Sequence, residues 1–241
     1  MRAVRGGLVL LAVGCVVLAG CTPTTKAPEP TTTAASSATP SAAATRKVDL
    51  QKLNGIKADF PPGFPVNGLS GVSTNDAQRA AGVGDFVSYG KSLSVEPAAC
   101  RVLLNPVEAR ANADWIAVTS SQSAEGPFVA VEVDDPVVES AVVPVTGCDQ
   151  FRFTVAGALP DGTAQRLAAP SFEDAISYAV KVDYDVTNPH ATKPILVEYF
   201  YTAILDGRTL VNVWARVPTD FAAEPALPDL LTKAVHAIRG S

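Results

Sequence analysis

Two β-rich runs, residues 195–205 and 208–217, are separated only by Asp206-Gly207. Asp-Gly supplies two successive positive φ angles, the backbone of a type I′ hairpin turn. A two-residue loop sets Leu205 opposite Arg208, Tyr199 opposite Trp214 and Glu198 opposite Ala215. One face then collects Leu196, Phe200, Thr202, Ile204, Val211, Val213, Ala215 and Val217, and is expected to be core. The other collects Val197, Tyr199, Tyr201, Leu210, Asn212, Trp214 and Arg216. Glu198 falls on the core face, where a carboxylate must reach an edge, find a partner or line a cavity.

Upstream, Ile176, Tyr178, Val180, Val182 and Tyr184 alternate with polar residues and small residues, the period of a half-buried strand. Shorter strands are expected over 115–119, 128–133, 151–155 and 163–167. None of the intervals has the pattern of a long amphipathic crossover helix, so the sheet should be mainly antiparallel. Leu227, Leu230, Leu231, Ala234, Val235 and Ile238 have helical spacing, with Pro228 near the start and Gly240 just past the end. A second helix is expected over 98–104, carrying Cys100 and ended before Pro106. Shorter helices are expected over 49–53 and 76–81. The proline-rich stretch 60–65 reads as an extended crossing over the surface. The fold class is α+β: a mainly antiparallel β-sheet with a few helices packed on it and one disulfide.

The N-terminus sets the address. Arg2 and Arg5 precede an apolar run that ends in Leu18-Ala19-Gly20-Cys21. This is a signal peptide over 1–20 closed by a lipobox, whose Cys21 receives a diacylglycerol after cleavage. Residues 21–45 are almost entirely Thr, Pro, Ala and Ser, too poor in apolar surface to offset the entropy of ordering. They read as a disordered spacer holding a single domain, 46–241, off the membrane. Cys15 leaves with the signal, so Cys100 and Cys148 remain to pair in an oxidising compartment. The formal charge is −5 with no basic cluster, which excludes nucleic acid as a partner.

Catalytic patterns are weak. No G-x-S-x-G elbow occurs, and the two histidines, His190 and His236, read as a loop residue and a helix-end residue. Asp134-Asp135 before Pro136 reads as a strand end. Asp183 and Asp185 with Asn188 lack the glycine turn and distal Glu of a calcium loop. Gly82-Val83-Gly84 lacks the flanking strand and third glycine of a nucleotide-binding loop. No metal, cofactor or catalytic residue is therefore expected. Tyr199, Tyr201, Asn212, Trp214 and Arg216 form the candidate ligand-binding surface, joining large rigid rings to polar tips. The competing expectation is that a short N-terminal helix packs on that face.

The lipobox, the Thr/Pro/Ala spacer, Pro97-Ala98-Ala99-Cys100, Cys148, the Asp-Gly hairpin and the Leu-rich terminal helix resemble mycobacterial cell-envelope lipoproteins of unknown function. Those resemble in turn the extracellular sensor domain of a mycobacterial receptor Ser/Thr kinase. The resemblance spans roughly residues 94–239. It implies helices packed on an antiparallel sheet, with a cleft that holds a ligand. One cysteine pair stands here where the sensor domain has two, and the resemblance carries over no catalytic residue. The expected function is non-enzymatic: a lipoprotein on the extracytoplasmic face of the cell membrane, binding a lipid or glycan component or a partner protein. The alternatives are a structural envelope protein with no small-molecule site and, behind it, a cell-wall hydrolase.

Overall fold

The computed structural model describes residues 47–66, 68–73, 82–121, 126–140, 145–157, 161–185 and 196–240. The expected signal peptide, Cys21 and its linker, the helix expected over 76–81, Asn188 and His190 lie outside the described residues. Among the described residues, nine strands form one antiparallel sheet that curls into a half-barrel. They are β1 Gly68–Ser73, β2 Leu93–Glu96, β3 Val107–Ser121, β4 Phe128–Glu139, β5 Gln150–Val155, β6 Gly162–Arg166, β7 Ala175–Tyr184, β8 Leu196–Leu205 and β9 Thr209–Pro218. Their spatial order is β1-β3-β4-β9-β8-β7-β6-β5-β2. Strands β5 to β9 thus form a meander, and β3–β4 close the sheet on its other side.

The β8–β9 register differs by one residue from the two-residue loop. Asp206 and Gly207 do take positive φ angles, +52° and +61°, and Arg208 N–H donates to Leu205 O at 2.9 Å. The ladder nevertheless begins with Leu205 opposite Thr209. Arg208 is drawn out of it toward β4: its carbonyl accepts from Val137 N–H at 2.7 Å, and its Nε donates to Asp135 Oδ1 at 2.9 Å. Thr209 Oγ1 donates to the same carboxylate oxygen at 2.9 Å. Because side chains alternate with a period of two, this one-residue shift re-sorts β9 against β8. Val197, Tyr199, Tyr201, Ala203 and Leu205 now share a face with Val211, Val213, Ala215 and Val217.

Two helices cover that face. The 3-10 helix η1, Leu50–Asp59, is longer than the short helix expected over 49–53, and the Asp49 carboxylate caps it by accepting from Gln51 N–H at 3.1 Å. The α-helix α1, Ala226–Arg239, ends where Gly240 turns left-handed at φ +75° and donates to the carbonyls of His236 and Ala237. Leu53 and Ile56 of η1 and Leu227, Leu230, Leu231 and Ile238 of α1 pack on Val129, Val131, Val213 and Tyr201. Phe64, in the stretch expected to cross the surface, is buried and meets Phe221 edge-on at 5.6 Å.

The opposite face carries a second core toward the β2 edge. Segment 98–104 crosses it as a 3-10 helix, η2, Ala98–Leu103, rather than as the α-helix its residues allow. Three residues per turn bring Cys100 and Leu103 to one side, and both are fully buried. Cys100 is bonded to Cys148 among Leu93, Phe151, Phe153 and Val182. Strands β1 and β2, both at sheet edges, carry little β signal; β1 holds two glycines and two serines in six residues. Strand β4 runs through Asp134-Asp135-Pro136 instead of ending there, because its partner changes: the β9 ladder stops at Asp134 opposite Leu210, and Val137 bonds to the turn.

The disulfide ties two chain segments 48 residues apart in sequence across the sheet. Closing a loop of that length constrains the unfolded chain by roughly 4 kcal/mol. Replacing both cysteines by serine should therefore lower the thermal midpoint by 10 °C or more, on the order expected for a 200-residue domain, as read by circular dichroism.

Candidate functional site

On the face away from α1, the observed register sets Glu198, Phe200 and Thr202 of β8 opposite Arg216, Trp214 and Asn212 of β9. Each pair finds a specific interaction. Glu198, expected opposite Ala215, is 1% exposed and meets its counter-ion directly: Arg216 Nη2 and Nε lie 2.6 and 2.7 Å from Oε1. Tyr184 O–H donates to Glu198 Oε2 at 3.1 Å, so both carboxylate oxygens are bonded. Burial, and next the charge of Glu198, push the Tyr184 phenol far above its ordinary value, keeping it a neutral donor. Arg216 also lies over the Phe128 ring, 5.4 Å from its centroid.

Phe200 and Trp214 lie nearly parallel, 17° apart with centroids at 6.0 Å, and Phe128 meets Trp214 edge-on at 4.6 Å. Phe86 stacks on Phe200 at 4.8 Å. Thr202 Oγ1 donates to Asn212 Oδ1 at 3.0 Å, which leaves the Asn212 amide nitrogen as the outward donor. Trp214 Nε1–H is buried and has no acceptor among the described residues.

Phe86 is delivered by the turn 82–91, whose sequence explains its shape. Gly84 has φ +71°, and a Cβ there would come within 2.6 Å of Val107 O, so the glycine permits a close backbone approach rather than phosphate binding. The Asp85 carboxylate accepts from Ser88 N–H at 2.8 Å, Ser88 O–H at 2.6 Å and Gly90 N–H at 2.6 Å. This clasp holds Tyr89 at φ +49° and half exposed.

Between the turn and the sheet lies an open cleft of about 350 Å³. Phe86, Tyr89, Phe200 and Trp214 supply its rings; Glu132, Asp134 and Asn212 supply its polar groups. Asp134 and Asn212 are 2% and 4% exposed. The arrangement brings an aromatic wall, an amide donor and carboxylate groups together in one place. A second hollow, of about 440 Å³ over Gln150, Arg152, Thr163 and Gln165, is polar and carries no stacked rings.

The five residues expected to form one surface are thus divided. Asn212, Trp214 and Arg216 stand together on the cleft face. Tyr199 and Tyr201 stand on the opposite face, covered by the helix layer; Tyr201 is fully buried, with its O–H 3.5 Å from Glu224. Helix packing therefore accounts for the two tyrosines and not for the tryptophan. Glu132, Asp134, Phe86, Tyr89 and Phe200 join the site without having been expected there. Glu198 was the signal: a carboxylate forced inward marks a polar constellation. Among the described residues no group of three or more His, Cys, Asp or Glu could hold a metal, and His236 is exposed near the end of α1. Asp183 pairs with Lys181 at 3.1 Å.

Removing Arg216 would strand a buried carboxylate. Arg216→Ala should destabilise the fold by about 3–5 kcal/mol, whereas Glu198→Leu combined with Arg216→Leu should cost much less. Denaturant unfolding of both variants checks this; equal losses would show that the pair itself is not what the fold needs.

No curated protein matches the chain. An uncharacterised protein from Mycobacterium smegmatis, the Rv0999 ortholog, has a crystal structure similar to this one, with a TM-score of 0.54 at 21% identity over 80% of this chain and 98% of that chain. At that identity the likeness concerns the fold. The sequence model of a domain of unknown function, DUF5642, matches residues 49–239, from the cap of η1 to the last residue of α1, and the chain belongs to that family.

Proposed function

We propose that this chain is a lipid-anchored binding protein of the cell envelope, without catalytic activity, whose ligand occupies the cleft beside Trp214. The lipobox ending in Cys21 and the spacer over 21–45 support the address. The paired cysteines suit an oxidising compartment. Resemblance to mycobacterial envelope lipoproteins and to a receptor-kinase sensor domain supports binding over chemistry.

The observation that carries the reading is the burial of Asp134 and Asn212 beside stacked rings in an open cleft. Polar groups converging beside rings in a concave hollow are the usual form of a small-molecule site. Val138, on the exposed side of β4, and Tyr89 are the large apolar residues left exposed among the described ones. They form no broad patch, which favours a small ligand over a protein partner.

Two measurements test this. Cys21→Ser should move the protein from the membrane to the soluble fraction and abolish acyl labelling of the mature N-terminus. Native mass spectrometry of the full protein from its own host should reveal a co-purifying small molecule that Trp214→Ala releases. A soluble wild-type protein, or a ligand retained by the variant, would overturn the respective half of the proposal.

A further inference from the structure

Resting on that cleft as the binding site, we propose that its ligand is a glycan, held by stacking one pyranose ring against Trp214 at the cleft wall. A pyranose has an apolar face of axial C–H groups and a rim of hydroxyls that both donate and accept. The cleft has the matching pattern, with rings on one side and Glu132, Asp134 and Asn212 at its polar wall. A carboxylate has about four lone-pair sites, so one already bonded within the protein still accepts from a hydroxyl. Asn212, its Oδ1 engaged by Thr202, keeps its amide N–H groups as donors at the polar wall.

An acyl chain fits less well. It would lay hydrocarbon against the partly exposed Glu132 carboxylate and strip it of water without returning a hydrogen bond. The hollow is also an open cleft beside a turn rather than a closed apolar pocket. Tyr89 stands half exposed at that turn, where a ring hydroxyl or a second sugar residue meets its phenol.

The test uses the full chain in detergent and a panel of soluble oligosaccharides of glucose, galactose, mannose and N-acetylglucosamine. Sodium oleate and phosphatidylglycerol vesicles are run beside them. Binding is read by tryptophan fluorescence and by calorimetry. At least one oligosaccharide should bind saturably. Trp214→Phe, which keeps a ring against Phe200 but narrows the aromatic wall the sugar stacks on, should weaken that binding about tenfold. Its melting temperature should remain near that of the wild type; Asn212→Ser gives an independent readout if it does not. Oligosaccharide binding that neither substitution weakens would place the sugar elsewhere and overturn the assignment. Oleate or vesicles perturbing Trp214 while no sugar does would overturn the glycan and leave the cleft standing. Silence from every probe would remove both.

Discussion

Arg208 determines which side chains of the two central strands share a face. It sits in the β8–β9 turn, yet its backbone and guanidinium are bonded to β4, through Val137 N–H and Asp135. With Arg208 outside the ladder, Thr209 becomes the first paired residue of β9. Every side chain of β9 then lies opposite a different partner on β8 than a two-residue loop would give. The apolar strip Val211, Val213, Ala215 and Val217 meets Tyr201 and Ala203 under α1, while Trp214 and Arg216 meet Phe200 and Glu198. The Asp135 contacts are partly exposed, with the Arg208 side chain at 52%, so they add little energy individually. Their effect is on register, and the burial that follows from register stabilises the fold far more.

Both faces of the sheet are consequently used. The helix face is uniformly apolar over β4, β9 and β8, and two helices exclude water from it. The other face is divided. Toward β2 it is a core closed by the disulfide and η2; toward β4 it opens into the cleft. The Glu198–Arg216 pair and Tyr184 stand between these two regions. A buried ion pair gives modest net stability but strongly resists displacement of either partner. It fixes β8, β9 and β7 against each other where the packing changes from closed to open, and so holds Trp214 and Phe200 in place beside the cleft.

Much of the fold was legible because its signals are local. The period-two pattern of β7 and the Leu-rich spacing of α1 with Gly240 beyond it each need only a few neighbouring residues to read, while the Cys100–Cys148 pair followed from counting the cysteines. The sheet edges were not legible. β1 and β2 are short and poor in β-branched residues, and hydrogen bonding to β3 and β5 makes them strands. The same holds for β4 across Pro136, where tertiary bonding to the turn overrides the local stop.

The site was half legible, and the division follows from a single residue of register. Asp206-Gly207 did form the turn its residues dictate, so local chemistry was read correctly. What no local pattern carries is the bond from Val137 to Arg208 O, which joins residues 71 apart in sequence number and decides whether the loop has two or three residues. Had Tyr199 faced Trp214, the rings of both tyrosines would have joined the cleft. Instead they are placed under α1, and the rings beside Trp214 come from Phe200 across the ladder and Phe86 on a turn far upstream. Glu198 was the residue that exposed the conflict. A carboxylate assigned to a hydrophobic face signals an incorrect register or an unrecognised partner. Here both held, since the shift that moved Glu198 off the helix face also set it opposite Arg216.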